Sequence, residues 1–324
     1  MLTASTGTLI AAHKASIRDR PGTISTKFSV AISMHHKADI VVAAQRLLPK
    51  HWLSRQIARL AESRVAWFKN LLIKRAIFAF DIDLGEADRS RIEDYHSFND
   101  FFTRALRDGA RPIDPLVEAI VSPADGSISQ IGTLKDDRIL QAKDSDYSAA
   151  QLIGDQQQAK SYLNGSFATI YLSPSDYHRV HIPCAGKLLS TRYIPGDLFS
   201  VNDLTSQALP GLFSNNERLV CEFESPSTGN FCVIFVGAML VAGIETLWGG
   251  VEQPGGGNVR EQRYDAAAYD FSKGSELGRF KFGSTVIMLF QADHCSWLET
   301  LKAGDEIRVG ERIATLSTVV AADT

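Results

Sequence analysis

The pair Gly283-Ser284 carries the most distinctive chemistry in this sequence, because a serine can attack the carbonyl of the residue before it. Attack by the Ser284 Oγ would turn the peptide bond into an ester, and β-elimination would then split the chain. The new terminus would hydrolyse to a pyruvoyl group, a covalent cofactor made from the serine itself. Glycine at position 283 offers no side-chain obstruction. The competing interpretation is a tight turn before the apolar run that follows.

A serine hydroxyl needs a base to become a nucleophile, and histidine is the usual base because its pKa lies near neutrality. His178 and His181 lie three residues apart, and Asp125 supplies a carboxylate in a Pro-Ala-Asp-Gly turn. On a regular strand the two histidines would face opposite sides, but Pro174-Ser175-Asp176 predicts a helical turn that would aim both inward. The alternative is structural, with Asp125 as a turn residue and His181 as a hydrogen-bonded core histidine.

Taken together, several segments resemble the phosphatidylserine decarboxylase family, pyruvoyl-dependent enzymes that make phosphatidylethanolamine. The similarity extends from about Leu47 to Ile313. One departure is Phe282, which stands where bacterial members carry leucine. The segments that carry the resemblance are Pro123-Ala124-Asp125-Gly126, Tyr171-Leu172-Ser173-Pro174, Asp176-Tyr177-His178-Arg179-Val180-His181, the eight residues from Pro195 to Asn202, and Gly278-Arg279-Phe280 through Ser284-Thr285.

The resemblance implies a role for each candidate residue. Asp125, His181 and Ser284 would form a triad in which His181 deprotonates Ser284, and cleavage after Gly283 would give a large (β) and a small (α) chain. The pyruvoyl group would form a Schiff base with phosphatidylserine and act as an electron sink while CO₂ leaves. His178 is the candidate proton donor to the product, with His181 as the alternative. A substrate-binding loop is assigned to Phe199, Ser200, Val201 and Asn202.

Two other functions are compatible with the same residues. A zinc hydrolase would use Asp125, His178, His181 and Cys184 as ligands, although their spacing does not demand a metal. A non-catalytic membrane-associated scaffold would carry an inert Gly-Ser pair. Self-cleavage separates the decarboxylase from both alternatives.

Composition narrows the class of protein. The 324 residues are 44% hydrophobic, which permits a substantial core, and the net charge of −3 argues against general nucleic-acid binding. The four cysteines form no C-x-x-C pair, so they are expected to be free, buried and structural; they are Cys184, Cys221, Cys232 and Cys295. The longest apolar run, residues 231–244, is shorter than the roughly 20 residues of a membrane-spanning helix.

The N-terminal third of the chain divides into two predicted parts. Residues 1–36 have no secretory-signal pattern and are expected to be a disordered extension; a second hypothesis starts translation at Met34. Residues 37–112 are predicted to be helical and to associate with a membrane, since Trp52 and Trp67 suit the lipid headgroup zone. The polar face is basic, with only Glu62 opposing Arg46, Lys50, Arg55, Arg59, Arg64, Lys69, Lys74 and Arg75. The alternative is a set of helices that simply cover the core with a solvated charged face.

Residues 113–324 carry short β-branched runs separated by Gly and Pro, which predicts a mainly β catalytic domain. The expected fold is therefore α+β, with N-terminal amphipathic helices before a domain resembling a barrel-sandwich hybrid. Gly249 to Gly257 is predicted to be a mobile loop rather than a phosphate cradle. The family resemblance implies a peripheral protein on the cytoplasmic face of a bacterial inner membrane. It also implies a heterodimer of the two cleaved chains and leaves a higher homo-oligomer open.

Overall fold

The computed structural model describes residues 40–142, 145–239, 243–252, 257–265, 268–281 and 284–317. The predicted extension over residues 1–36 and the alternative start at Met34 lie outside the described residues. So do Phe282 and Gly283, and residues 253–256 of the glycine-rich segment.

Helices dominate the first part of the described chain and recur as short segments between strands. They are α1 (residues 40–47), α2 (Lys50–Ala61), α3 (Ala66–Phe80), α4 (Phe98–Phe102), α5 (Ala149–Ile153), α6 (Gln156–Ala159), α7 (Asp203–Ala208) and α8 (Leu212–Asn215), with 3-10 turns at Ile92–Asp94 and Lys160–Tyr162. The sequence Ser97-Phe98-Asn99-Asp100 predicts a helix start with Ser97 as the N-cap, and this prediction is confirmed, because the Ser97 hydroxyl accepts a 3.1 Å hydrogen bond from the Asp100 N–H at the start of α4. This cap directs the three phenylalanines of α4 into one small core with α3.

Helices α2 and α3 have an inverted burial pattern. The residues that α2 buries are Lys50, Ser54 and Ala61, whereas Trp52 on the same helix is 55% exposed. On α3, Trp67 is 72% and Phe78 is 90% exposed. Large apolar side chains therefore face outward from these helices, which is unusual for a helix that only covers a core.

Two lysines that the sequence places on the exposed basic face are instead buried, each at 6% exposure. The Lys50 Nζ lies 2.5 Å from an Asp197 carboxylate oxygen and sits over the Phe199 ring. The Lys69 Nζ donates to the Asn70 side chain at 2.7 Å and to the Ile92 carbonyl at 3.1 Å. The prediction was wrong for these two residues because Asp197, Phe199 and Ile92 are distant in sequence, so helical periodicity alone could not locate these contacts.

The strands form one large and three small sheets within the described residues. The main sheet contains β2 (Gly126–Thr133), β5 (Ser166–Leu172), β7 (Gly186–Ile194), β8 (Arg218–Ser225), β9 (Gly229–Val236), β12 (Arg260–Arg263), β13 (Asp270–Phe271), β15 (Ser284–Phe290) and β17 (Glu306–Ile307). The small sheets contain β1 (Ala119–Val121), β3 (Arg138–Ala142), β4 (Ser145–Ser148), β6 (Arg179–His181), β10 (Ile244–Thr246), β11 (Gly250–Glu252), β14 (Glu276–Phe280), β16 (Cys295–Trp297) and β18 (Arg312–Leu316).

Strand β15 lies in the interior of the main sheet, whose order is β12-β7-β8-β9-β15-β5-β2-β17 with β13 also on β7. It pairs antiparallel with β5 from Ser284 to Phe290 and with β9 from Thr285 to Phe290. All seven residues of β15 are buried. Alternate side chains enter two different cores, with Val286 and Met288 in one and Ile287 and Leu289 in the other. A continuous apolar run is what burial on both faces requires.

The predicted α+β class is confirmed, and none of the described sheets closes into a barrel. The four cysteines are free and buried, as predicted. No helix among the described residues is both long and apolar enough to cross a bilayer.

Candidate active site

Ser284 is the first residue of β15, and its side chain is fully buried. Its backbone pairs with Leu172 on β5. Among the described residues, the Oγ has no hydrogen-bond partner. Leaving a buried hydroxyl unpaired costs free energy, and such groups in a native protein often mark a functional position. The serine proposed to become the cofactor is thus held in a dry, fixed place with its oxygen uncommitted.

His178 is also fully buried and precedes β6. Its Nδ1 lies 2.8 Å from the Asp176 carbonyl oxygen, which can only accept, so Nδ1 carries the proton. The Nε2 is left as an acceptor with no partner among the described residues. The Phe102 ring covers the imidazole at 4.1 Å between centroids. Burial lowers the pKa of His178 to about 3, so the imidazole is neutral at pH 7.

His178 follows closely after the end of β5 that pairs with Ser284. Leu172, the last residue of β5, pairs with Ser284, and the segment after it turns back through a hydrogen bond from the Asp176 N–H to the Ser173 carbonyl. The His178 carbonyl then accepts from the N–H of Phe280, the last residue of β14. A turn therefore precedes the histidines, but it is a single β-turn rather than the predicted helical turn, and the His178 backbone is then held by β14.

His181 uses both ring nitrogens in other contacts. Its Nδ1 donates to the Gly274 carbonyl at 2.8 Å, and its Nε2 accepts from the Tyr177 hydroxyl at 3.1 Å. Its backbone N–H donates to the Pro123 carbonyl at 2.7 Å, which places His181 beside the Pro-Ala-Asp-Gly turn. Burial lowers the pKa of His181, although the Gly274 carbonyl opposes that shift.

Asp125 is held by Arg111 rather than by a histidine. The Arg111 Nε lies 2.9 Å from both carboxylate oxygens, Nη2 lies 2.5 Å from one, and the Val309 N–H donates at 2.8 Å. No direct hydrogen bond joins Asp125, His181 and Ser284 among the described residues. Hydrogen bonds to Asp125 and Glu86 raise the pKa of Arg111 despite its burial. Sequence reasoning missed Arg111, and its only signal was the Arg-Pro pair that ends the helical region.

Glycine is required directly after Asp125. Gly126 has φ +157°, and a Cβ there would lie 2.2 Å from the Tyr171 carbonyl oxygen. Only glycine allows so close an approach of backbones, which holds Asp125 at the start of β2 beside β5.

The four residues of the predicted substrate loop make packing and hydrogen-bond contacts of their own. Phe199 and Val201 are buried in the core that also contains Ile287 and Leu289. The Asn202 side chain caps α7 by accepting a hydrogen bond from the Thr205 N–H at 3.0 Å. The Ser200 N–H donates to the Gln45 side chain at 2.9 Å, so α1 contacts this loop. Binding of substrate by these four residues stays a prediction.

A cavity of about 380 Å³ opens beside Asp125. Its lining combines the turn after β5 with the end of α3 and the loop before β18: Asp81, Asp83, Glu86, Arg104, Leu106, Arg111, Asp125, Gly126, Ser127, Tyr171, Ser173, Ser175, Asp176, Tyr177, Glu306, Ile307, Arg308 and Glu311. Its volume suits part of a small molecule. Within the described chain, no three His, Cys, Asp or Glu side chains are arranged to hold a metal ion, and the Cys184 Sγ instead lies 3.8 Å from the Thr228 hydroxyl.

Comparison with known proteins places these residues in a family. A family model described as phosphatidylserine decarboxylase matches residues 98–315, and a second, described as PSD, matches residues 40–81. The chain is 48% identical over 285 residues to a phosphatidylserine decarboxylase proenzyme of Azotobacter vinelandii. The alignment covers 87% of this chain and 99% of that protein. It is 46% identical over 284 residues to the phosphatidylserine decarboxylase proenzyme of Saccharophagus degradans, and that alignment covers 87% of this chain and 99% of the relative. Matches of this extent show that the chain belongs to the phosphatidylserine decarboxylase family.

Proposed function

We propose that the protein decarboxylates phosphatidylserine to phosphatidylethanolamine and CO₂ and that it makes its cofactor from Ser284. Family membership supports the reaction, and the observation that supports the cofactor is the buried, uncommitted Ser284 Oγ at the start of β15. A pyruvoyl group at this position would supply a carbonyl that binds the substrate amine and withdraws electrons as CO₂ leaves. The residues present fit that group, because Ser284 lies in a site that excludes water.

In the processing step, we assign His181 as the base for the Ser284 hydroxyl and Asp125 as the carboxylate that orients it. The contact between the His181 N–H and the Pro123 carbonyl supports their proximity. For this role the His181 ring must turn away from Tyr177 and Gly274, and Asp125 must share its oxygens with Arg111. Arg111 and the Val309 N–H already hold the Asp125 carboxylate in place, so the carboxylate needs to move little when it orients His181.

In the decarboxylation step, His178 is assigned to proton transfer. Its Nδ1 proton is held by the Asp176 carbonyl, so Nε2 is the atom free to take up the proton that the substrate ammonium loses and to deliver it to the carbon that CO₂ leaves. A neutral imidazole in a dry site is suited to accept that proton first. The His181 ring remains the alternative donor.

Mass spectrometry of the purified protein tests this function. We expect a large fragment ending at Gly283 and a small fragment whose first residue is a ketone-bearing group in place of Ser284. Cyanoborohydride reduction in the presence of phosphatidylserine should add the lipid to the small fragment. Recovery of an active enzyme as one unbroken chain would refute the proposal.

We further propose that α2 and α3 lie on the membrane surface that holds the substrate. Their outward-facing Trp52, Trp67 and Phe78 are exposed apolar groups, and the exposed basic residues around them suit anionic lipid. The exposed side chains thus favour a lipid-facing surface over a merely solvated charged one. The two cleaved chains remain together as the unit that binds there.

Replacing Trp52 and Trp67 together by serine is expected to weaken binding to phosphatidylserine vesicles at least tenfold, since each tryptophan loses apolar contact with lipid. Cosedimentation with vesicles measures the change. The matched control replaces Leu247 and Val259, which are 56% and 55% exposed on the catalytic domain, by serine. Equal loss of binding in both double variants would contradict an interface at α2 and α3.

A further inference from the structure

Arg104 is a buried arginine whose charge has no ion-pair partner in the part of the chain that the structure describes. It follows α4 and is 4% exposed. Its Nη2 donates to the Ser175 carbonyl at 2.9 Å, and the guanidinium lies over Phe101 at 5.6 Å. Its Nε and Nη1 have no hydrogen-bond partner among the described residues. Burying an unpaired guanidinium is costly, so the site is suited to an anion that is not part of this chain.

Arg104 lines the cavity beside Asp125, where that anion would bind; its Nε and Nη1 are themselves buried, so the side chain must turn for them to reach the anion. The other two arginines of the lining are committed: Arg111 pairs with Asp125 and Glu86, and Arg308 pairs with Glu86. The remaining charged residues of the lining are acidic. Of the three arginines in the described lining, Arg104 is the one without an ion-pair partner, in a lining that otherwise favours a cation such as the substrate ammonium.

Arg104 and His178 are held by neighbouring carbonyls. The Ser175 carbonyl accepts from Arg104, and the Asp176 carbonyl accepts from the His178 Nδ1. The positive charge of Arg104 is close enough to contribute to the lowered pKa of His178, after the larger effect of burial. A ligand on the free Arg104 donors would thus lie beside the imidazole assigned to proton transfer.

We propose that Arg104 binds the phosphodiester of the lipid headgroup, an inference that rests on the proposed decarboxylation of phosphatidylserine. The headgroup has two anionic groups, the carboxylate and the phosphodiester. An ion pair to the carboxylate would stabilise the substrate charge that must disappear as CO₂ forms, which opposes the reaction. The phosphodiester keeps its charge from substrate to product, and its oxygens match the fork of a guanidinium. Arg104 therefore positions the headgroup and takes no part in bond breaking.

Calorimetric binding of two soluble headgroups to the processed protein tests this assignment. Glycerophosphoserine has both anionic groups, and glycerophosphoethanolamine has only the phosphodiester. We expect Arg104→Gln to weaken both to a similar extent, by roughly tenfold to a hundredfold, as for loss of charged hydrogen bonds. Arg104→Lys should recover part of the loss, because it keeps the charge but not the fork. The matched control is Arg107→Gln, which removes an exposed arginine three residues away.

Each other outcome overturns the assignment. Weaker binding of glycerophosphoserine alone would place Arg104 on the carboxylate. Unchanged binding of both ligands, or no binding by the unsubstituted protein, would leave Arg104 with a structural role only, and a lower unfolding temperature in Arg104→Gln would agree with that. Binding needs no turnover, so a protein that binds both headgroups through Arg104 but releases no CO₂ would refute the proposed function and not this inference.

Discussion

Replacing Ser284 by alanine is expected to leave a single 35.5 kDa chain that releases no CO₂ from phosphatidylserine. Without the Oγ there is no nucleophile for the preceding carbonyl and no source of the cofactor. The fold should be unaffected, because the Oγ has no partner among the described residues that its loss would leave unsatisfied. A denaturing gel, a CO₂ assay and a thermal unfolding curve measure the three effects.

Thr285→Val is the matched control for this result. Its hydroxyl is adjacent, equally buried and equally without a described partner, but it projects from the opposite face of β15. We expect this variant to be cleaved and active. A cleaved and active Ser284→Ala protein would exclude Ser284 as the source of the cofactor, and an uncleaved Thr285→Val protein would show that cleavage depends on more than the hydroxyl at position 284.

The second prediction with a large expected effect distinguishes the role of His178 from that of His181. His178→Gln is expected to be cleaved yet to lose about 10²-fold or more of its turnover, since its Nε2 is assigned to proton transfer with the substrate. His181→Gln is expected to remain one chain, because its Nε2 is assigned to the processing step. Each variant serves as the control for the other, and both keep a polar side chain of similar size. Gel analysis gives the extent of cleavage, and turnover is then measured per mole of cleaved protein.

The opposite pattern would exchange the assignments. An intact His178→Gln chain with a cleaved His181→Gln chain would make His178 the base for Ser284. That result would agree with the free Nε2 of His178 and with the engaged ring of His181. Cleavage in both variants would remove histidine from the processing step altogether.

Much of the fold follows from local patterns in the sequence. The apolar run after Ser284 predicts a buried strand, and Ser97 with Asp100 predicts the start of α4. Scattered cysteines without a pairing pattern predict free thiols. These features depend on spacing within a few residues, which is why a single sequence suffices to identify them.

The environment of the site could not be predicted in the same way. Arg111 reaches Asp125, and Arg104 meets Ser175, across separations of 14 and 71 residues. Such pairs form only when β2, the turn after β5 and the helical region are packed together. Likewise, the proton positions on His178 and His181 depend on which carbonyl each ring meets. Residue types indicate the chemistry of a site, whereas tertiary packing decides which atoms are committed and which are free.

The position of β15 within the main sheet also bears on what remains after the chain is broken. Scission ahead of Ser284 interrupts the covalent backbone but none of the pairings that β15 makes with β5 and β9. The proposed cleavage would therefore leave the protein nicked rather than divided, with the new terminus held by the pairings of β15. A reactive ketone formed there would be aligned from the moment it arises, without recruitment of a separate cofactor from solution.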